Sequence, residues 1–146
     1  MAWKVKQKIS THHSTSQIFA QLGSDKVKKV VAVGGDITEA KLGINAEDRK
    51  RLCDEVSVVI HAAASVRFNE PIHKAIRTNL GGAMSMLELA SDLKKIDAYV
   101  HISTAYSNCN RREIGEMIYP TGNSPNDVIE LLKGMSKEEA YAVTPK

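Results

Sequence analysis

No run of about 18 apolar residues occurs in this sequence, so no membrane-spanning helix is expected. Cysteine is scarce. Cys53 and Cys109 are the only two, and they form neither a disulfide framework nor a metal-ligand spacing, which suits a reducing, intracellular compartment. Aromatic residues make up 5 % of the chain, and no basic patch interleaved with them accompanies the formal charge of +3. Nucleic acid is therefore not an expected partner; Lys4, Lys6 and Lys8 supply much of the surplus. His12-His13 has no cysteine or carboxylate cluster beside it, so a solvated pair is expected and no metal. The first residues lack the apolar core of a secretory signal, and no repeat or low-complexity tract is present. Two further absences matter most. No G-x-G-x-x-G or G-x-x-G-x-x-G turn occurs, and no tyrosine is followed four places on by lysine. Those places after Tyr99, Tyr106, Tyr119 and Tyr141 hold Ser103, Asn110, Asn123 and Pro145.

What is present is a globular composition, 42 % hydrophobic and 25 % charged, in a length that fits one domain or part of a larger one. Thr15 to Leu22 reads as a short helix stopped by Gly23. The valine-rich run from Lys29 to Val33 reads as a strand, with a sharp exit at Gly34-Gly35. Asn45 is placed to cap a helix from Ala46 to Glu55, whose first turn carries Glu47 and Asp48. Val56 to Ile60 is a second apolar strand. A helix runs from Pro71 to Leu93, interrupted at Gly81-Gly82, where it bends or its backbone packs closely on a neighbour. Tyr99 to Ile102 is the third strand. Ser124-Pro125 opens a helix through Leu132 that Gly134 ends, and Ser136 to Glu139 reads as a capping box. Residues 108–123 are polar and expected to loop. Strand, helix, strand, helix, strand predicts an α/β fold with a parallel sheet and crossover helices.

Parallel strands bring their C-terminal ends to one edge, where ligands of open α/β sheets sit. Three groups of residues should converge there. After the first strand, Asp36 beside Ile37 can hold an adenine amino group while the apolar side chain covers the ring; equally, Asp36 can cap a turn. After the second strand, Ala62, Ala63 and Ala64 let a ligand approach backbone N–H groups, or simply pack strand against helix. Asn79 can join a site network or bond a nearby carbonyl. After the third strand, Ser103 and Thr104 can hydrogen-bond a carbonyl, or one can cap the next segment.

Taken together, these residues resemble the central part of a fatty acyl-CoA reductase, of the extended short-chain dehydrogenase/reductase superfamily with its male-sterility-type NAD(P)-binding domain. The resemblance rests on Gly35-Asp36-Ile37-Thr38-Glu39 with Leu42-Gly43, then Val59-Ile60-His61-Ala62-Ala63-Ala64-Ser65-Val66-Arg67-Phe68. Asn79-Leu80-Gly81-Gly82 and His101-Ile102-Ser103-Thr104-Ala105-Tyr106-Ser107-Asn108-Cys109 continue it. It is best over 28–146, and Trp3-Lys4-Val5 is similar to the end of the family's second strand.

The resemblance implies a partial Rossmann-like, doubly wound parallel sheet, corresponding to strands three to five with their crossover helices. It implies an NAD(P)-binding domain that is incomplete over 1–146, with strands one and two and the family's C-terminal domain missing. The implied activity is NADPH-dependent reduction of long-chain acyl-CoA to fatty alcohol, an oxidoreductase of lipid metabolism, with peroxisomal or endoplasmic-reticulum membranes as its setting. Asp36 and Ile37 would flank the adenine, Ala62, Ala63 and Ala64 would line the cofactor groove, and Asn79 would support it. Thr104, or less directly Ser103, would orient the substrate carbonyl, since a donor aimed at developing oxyanion charge acts mainly in the transition state. The family's glycine-rich turn holds the pyrophosphate, and its Tyr-x-x-x-Lys pair donates the proton; neither is in this chain. The chain as given is therefore expected to be inactive and to bind NADPH weakly or not at all. A non-catalytic association module, or another extended short-chain dehydrogenase such as an epimerase, a dehydratase or a thioester reductase, is the alternative. Without strands one and two, the strand at Lys29 to Val33 is expected to lack its native neighbour, or to pair directly with the one at Val56 to Ile60.

Overall fold

Asn45, Ser124 and Ser136 each accept a backbone N–H with a side-chain oxygen, from Asp48 at 2.9 Å, Asn126 at 3.2 Å and Glu139 at 3.2 Å. Each fills one of the donors a helix leaves open at its N-terminus, so the helices at 46, 125 and 137 start where the sequence places them. At Ser136 the bond is returned, its N–H donating to Glu139 Oε2 at 2.8 Å. The computed structural model describes residues 4–5, 29–67 and 69–143. The helix expected over Thr15 to Leu22, the pair His12-His13, and Phe68 lie outside the described residues.

The elements run β1 (Lys4–Val5), β2 (Gly34–Gly35), a 3-10 turn (Ala40–Gly43), α1 (Ala46–Glu55), β3 (Val58–His61) and α2 (Ile72–Ala75). A π-helical segment (Ile76–Gly81), α3 (Gly82–Ser91), β4 (Ala98–His101), α4 (Pro125–Lys133) and α5 (Lys137–Ala142) complete them. All strand pairing among the described residues is parallel. β1 pairs with β2 (Lys4↔Gly34, Val5↔Gly35), and β3 pairs with β4 (Val58↔Ala98 through His61↔His101). The β3–helix–β4 crossover is the βαβ unit the element order predicts. The architecture is a partial Rossmann-like α/β fold.

Three expectations need correction. The valine run does not form the described ladder. Among the described residues, pairing falls on Gly34–Gly35, opposite Lys4–Val5, just past the valine run. Nor does that strand lack a neighbour: β1 occupies one of its edges. It also does not pair with β3; the two ladders are separate. Past Gly35 the chain closes a turn on itself, Asp36 N donating to Leu42 O at 2.8 Å. The other strand bounds shift slightly. Val56 is spent as the C-cap of α1, its N–H on Leu52 O at 3.0 Å, so β3 begins at Val58.

The core gathers around that turn. Val33 and Leu42 are fully buried, and Ile37, Ile44, Leu52, Val59, Met86 and Leu89 pack with them. At Gly81-Gly82 the close-packing alternative is the one observed. The helix widens to π geometry over Ile76–Gly81, and a Cβ on Gly82 would stand 2.4 Å from Ile37 Cγ1. Only glycine lets α3 approach that closely. The opposite face of the β3–β4 pair, with Val58, Ile60, Val100 and Ile102, is exposed.

Candidate functional site

The turn after β2 is built from a carboxylate and a left-handed stretch. Asp36 Oδ1 accepts from Thr38 N at 2.8 Å and from Thr38 Oγ1 at 2.7 Å. Those two bonds, the backbone one first, hold the Asp36 pKa below its ordinary value; slight burial opposes them, and the Arg77 charge assists. Lys41, Leu42 and Gly43 then take φ of 52°, 63° and 58°. A Cβ on Gly43 would sit 3.1 Å from Asp36 N, so glycine is needed here for conformation and for space. Arg77, from the π segment, donates to Thr38 O through Nε at 3.2 Å and Nη2 at 3.0 Å, tying the turn to the helix.

Beside this turn the chain leaves β3 through the alanine triplet. Asn79 holds the next residue with both ends of its amide: Oδ1 accepts from Ser65 N at 2.7 Å, and Nδ2 donates to Ser65 O at 3.1 Å. A widened helical turn often presents a functional side chain in this way. The result is a cleft of about 580 Å³ whose walls include Asp36, Ile37, Ala62, Ala63 and Ala64. It falls within the range of about 300–1,000 Å³ usual for small-molecule sites. Asn79 stands behind the wall, fixing Ser65.

Thr38, Ser65, Val66, Arg67, Glu70 and Thr78 also line the cleft. None was singled out for a role from sequence, although Arg67 lies within the motif that carries the resemblance. For Ser65, Val66 and Arg67 the one available signal was position, immediately after the triplet. Ser103 and Thr104 leave the same sheet edge, since Ile102 N still bonds His61 O at 2.9 Å, but neither lines the cleft. Thr104 Oγ1 accepts from Tyr106 N at 3.2 Å, and Ser103 Oγ lies 3.3 Å from Ser107 Oγ. Of the two readings open for these hydroxyls, the turn-capping bond is the one made. Asp36 likewise makes the turn-capping bond; both of those bonds fall on Oδ1, and among the described residues none donates to Oδ2. Among the described residues no group of three His, Cys, Asp or Glu could hold a metal ion, and no helix is long and apolar enough to cross a membrane.

Under the cleft, His61 is buried, with Nδ1 3.3 Å from His101 Nδ1 and 3.2 Å from the Tyr99 hydroxyl. Burial lowers the His61 pKa first, and neighbouring His101 adds to the effect; a hydrogen bond with the Ala63 backbone opposes both. The folded value thus lies below the unfolded value of about 6.5. The unfolded chain binds more protons as pH falls through that range, so the stability present above about pH 6.5 declines toward the folded value. Thermal unfolding followed between pH 7.5 and pH 5 should show that decline, and His61→Gln should flatten it; an unchanged slope in the variant would assign it to other groups.

The geometry defines an α/β protein with a cleft beside its parallel sheet edge, and comparison gives the family. The model of the male sterility protein family, an NAD-binding family, matches residues 2–144, and the chain belongs to that family. It is 38 % identical over 122 residues to fatty acyl-CoA reductase 1 of Xenopus laevis, covering 84 % of this chain and 24 % of that protein. Against fatty acyl-CoA reductase 1 of Mus musculus it is 33 % identical over 135 residues, 90 % of this chain and 26 % of the relative. Against the Homo sapiens protein of the same name it is 34 % identical over 119 residues, 82 % and 23 %. The chain thus spans about a quarter of the length of the curated relatives it matches.

Proposed function

We propose that this cleft takes the adenosine half of NADPH, and that the chain supplies part of the cofactor site of an NADPH-dependent reductase converting long-chain acyl-CoA to fatty alcohol. The observation that carries the reading is the convergence of Asp36, Ile37 and the alanine triplet on one cleft, in a chain of an NAD-binding family. The residues fit the group. Methyl side chains at Ala62, Ala63 and Ala64 leave their backbone open to a flat ring, and the second oxygen of Asp36 is available to an amino donor. Asn79 fixes the wall through Ser65 and acts as a positioning residue. The nicotinamide, when bound, supplies the hydride. Thr104, at the same sheet edge, would donate to the acyl carbonyl as charge grows on its oxygen; its bond with Tyr106 N uses Oγ1 as acceptor and leaves the hydroxyl proton to give.

Residues 1–146 contribute to an NAD(P)-binding domain in this proposal, with a peroxisomal or endoplasmic-reticulum setting for the whole reaction. No glycine-rich turn or Tyr-x-x-x-Lys pair lies within these residues, so the chain binds weakly and does not turn over. Calorimetry should give saturable NADPH binding near a Kd of about 1 mM, worth about 4 kcal/mol, lost in Asp36→Ala. Acyl-CoA should cause no NADPH oxidation. Absence of any saturable binding by the folded chain would remove the proposal, and turnover would remove its claim of inactivity.

A further inference from the structure

The cleft has a second polar end that the adenine reading leaves unused. Glu70 N bonds Arg67 O at 3.3 Å, closing a turn that places both side chains on the cleft wall. The two are opposite in charge and three residues apart, yet they do not form an ion pair with each other. Among the described residues, the Arg67 guanidinium has no hydrogen-bond or ion-pair partner. Arg77, on the π segment, is by contrast held by Thr38 O and lies 3.6 Å from Glu39. Glu70 Oε1 is buried and accepts no hydrogen bond. A buried acceptor left open costs free energy that a ligand donor would recover, and an unpaired guanidinium at a cleft mouth is a ready fork for two phosphate oxygens.

We propose that Arg67 and Glu70 form the phosphate- and hydroxyl-holding end of this site: the guanidinium takes a phosphate of an adenosine nucleotide, and Glu70 Oε1 accepts from its ribose hydroxyl. The proposal rests on the nucleotide reading of the cleft and extends it to two residues with different tasks. Arg67 acts on phosphate alone, Glu70 on any ribose. Both NADPH and coenzyme A carry phosphorylated adenosine, so the chemistry is shared and the source is left to the titration.

The test is NMR titration of the isotope-labelled chain with adenosine, NADPH and coenzyme A, for wild type, Arg67→Gln, Arg67→Lys and Glu70→Ala. Arg67→Gln should weaken the phosphorylated ligand at least fivefold and leave adenosine within twofold, with Arg67→Lys in between. Raising the salt concentration should weaken the wild type more than Arg67→Gln, because phosphate attraction is screened. Glu70→Ala should weaken adenosine and nucleotide alike. An Arg67 effect on NADPH assigns the phosphate to the dinucleotide, and one on coenzyme A alone assigns it to the acyl carrier; either supports the phosphate role. Wild-type binding that Arg67→Gln leaves intact overturns this inference while the cleft reading stands. A spectrally intact wild type that binds no adenosine ligand overturns both. Amide spectra of each variant show whether it has folded.

Discussion

Gly82→Ala should destabilise the fold although alanine is the better helix former. Helix propensity favours the substitution by about 1 kcal/mol. Against it, the new Cβ would meet Ile37 Cγ1 at 2.4 Å and Cδ1 at 2.7 Å, and Ile37 is itself a buried core residue. Overpacking of a filled core costs about 1–3 kcal/mol, with contacts this short at the upper end. The expected net loss is therefore about 1–2 kcal/mol, read as a lower denaturation midpoint at unchanged slope. The partner substitution decides the cause. In an Ile37→Ala background the same Gly82→Ala change should be neutral or favourable, giving a large coupling in the double-mutant cycle. Equal losses in both backgrounds would mean that the close approach of α3 to Ile37 is not what requires glycine.

Leu42→Ala should cost more, about 2–5 kcal/mol. Leu42 is fully buried, so its side chain leaves a cavity in the middle of the core. Its backbone also holds the turn at both ends, accepting from Asp36 N at 2.8 Å and donating to Glu39 O at 3.0 Å. The turn is strained as it stands, since a left-handed backbone costs a side-chain-bearing residue about 1–2 kcal/mol. Lys41→Gly is the informative contrast. Lys41 is exposed with φ of 52°, so glycine there removes strain without removing core. It should stabilise, or at worst leave stability unchanged. Chemical denaturation of the two variants checks both, and a Leu42→Ala loss below about 1 kcal/mol would show that the turn collapses onto the vacancy.

What could be read from sequence divides along physical lines. Caps are local, and Asn45, Ser124 and Ser136 each declare a helix start through one side chain and one nearby N–H. The paired helices and the parallel crossover were legible because hydrophobic spacing and element order are properties of the chain itself. Strand bounds were not, because a ladder exists only where a partner lies opposite: Val33 is core, yet the described pairing falls on Gly34–Gly35. The left-handed run at Lys41, Leu42 and Gly43 was signalled only by its glycine; nothing in a lysine or leucine announces positive φ. In the cleft, Asp36 and the alanine triplet were legible from their places after strands. Arg67 and Glu70 were not, because an arginine's role depends on what it fails to pair with.

The proposed function requires that the Asp36 turn and the alanine triplet be two walls of one cleft that takes a nucleotide. Amide shifts of the labelled chain during an NADPH titration test it residue by residue. The expected pattern is perturbation concentrated at 36–38, 62–67 and 70, saturating together with one apparent Kd. Perturbation confined to α4 and α5, or scattered over the exposed face of β3 and β4 without saturation, would contradict it.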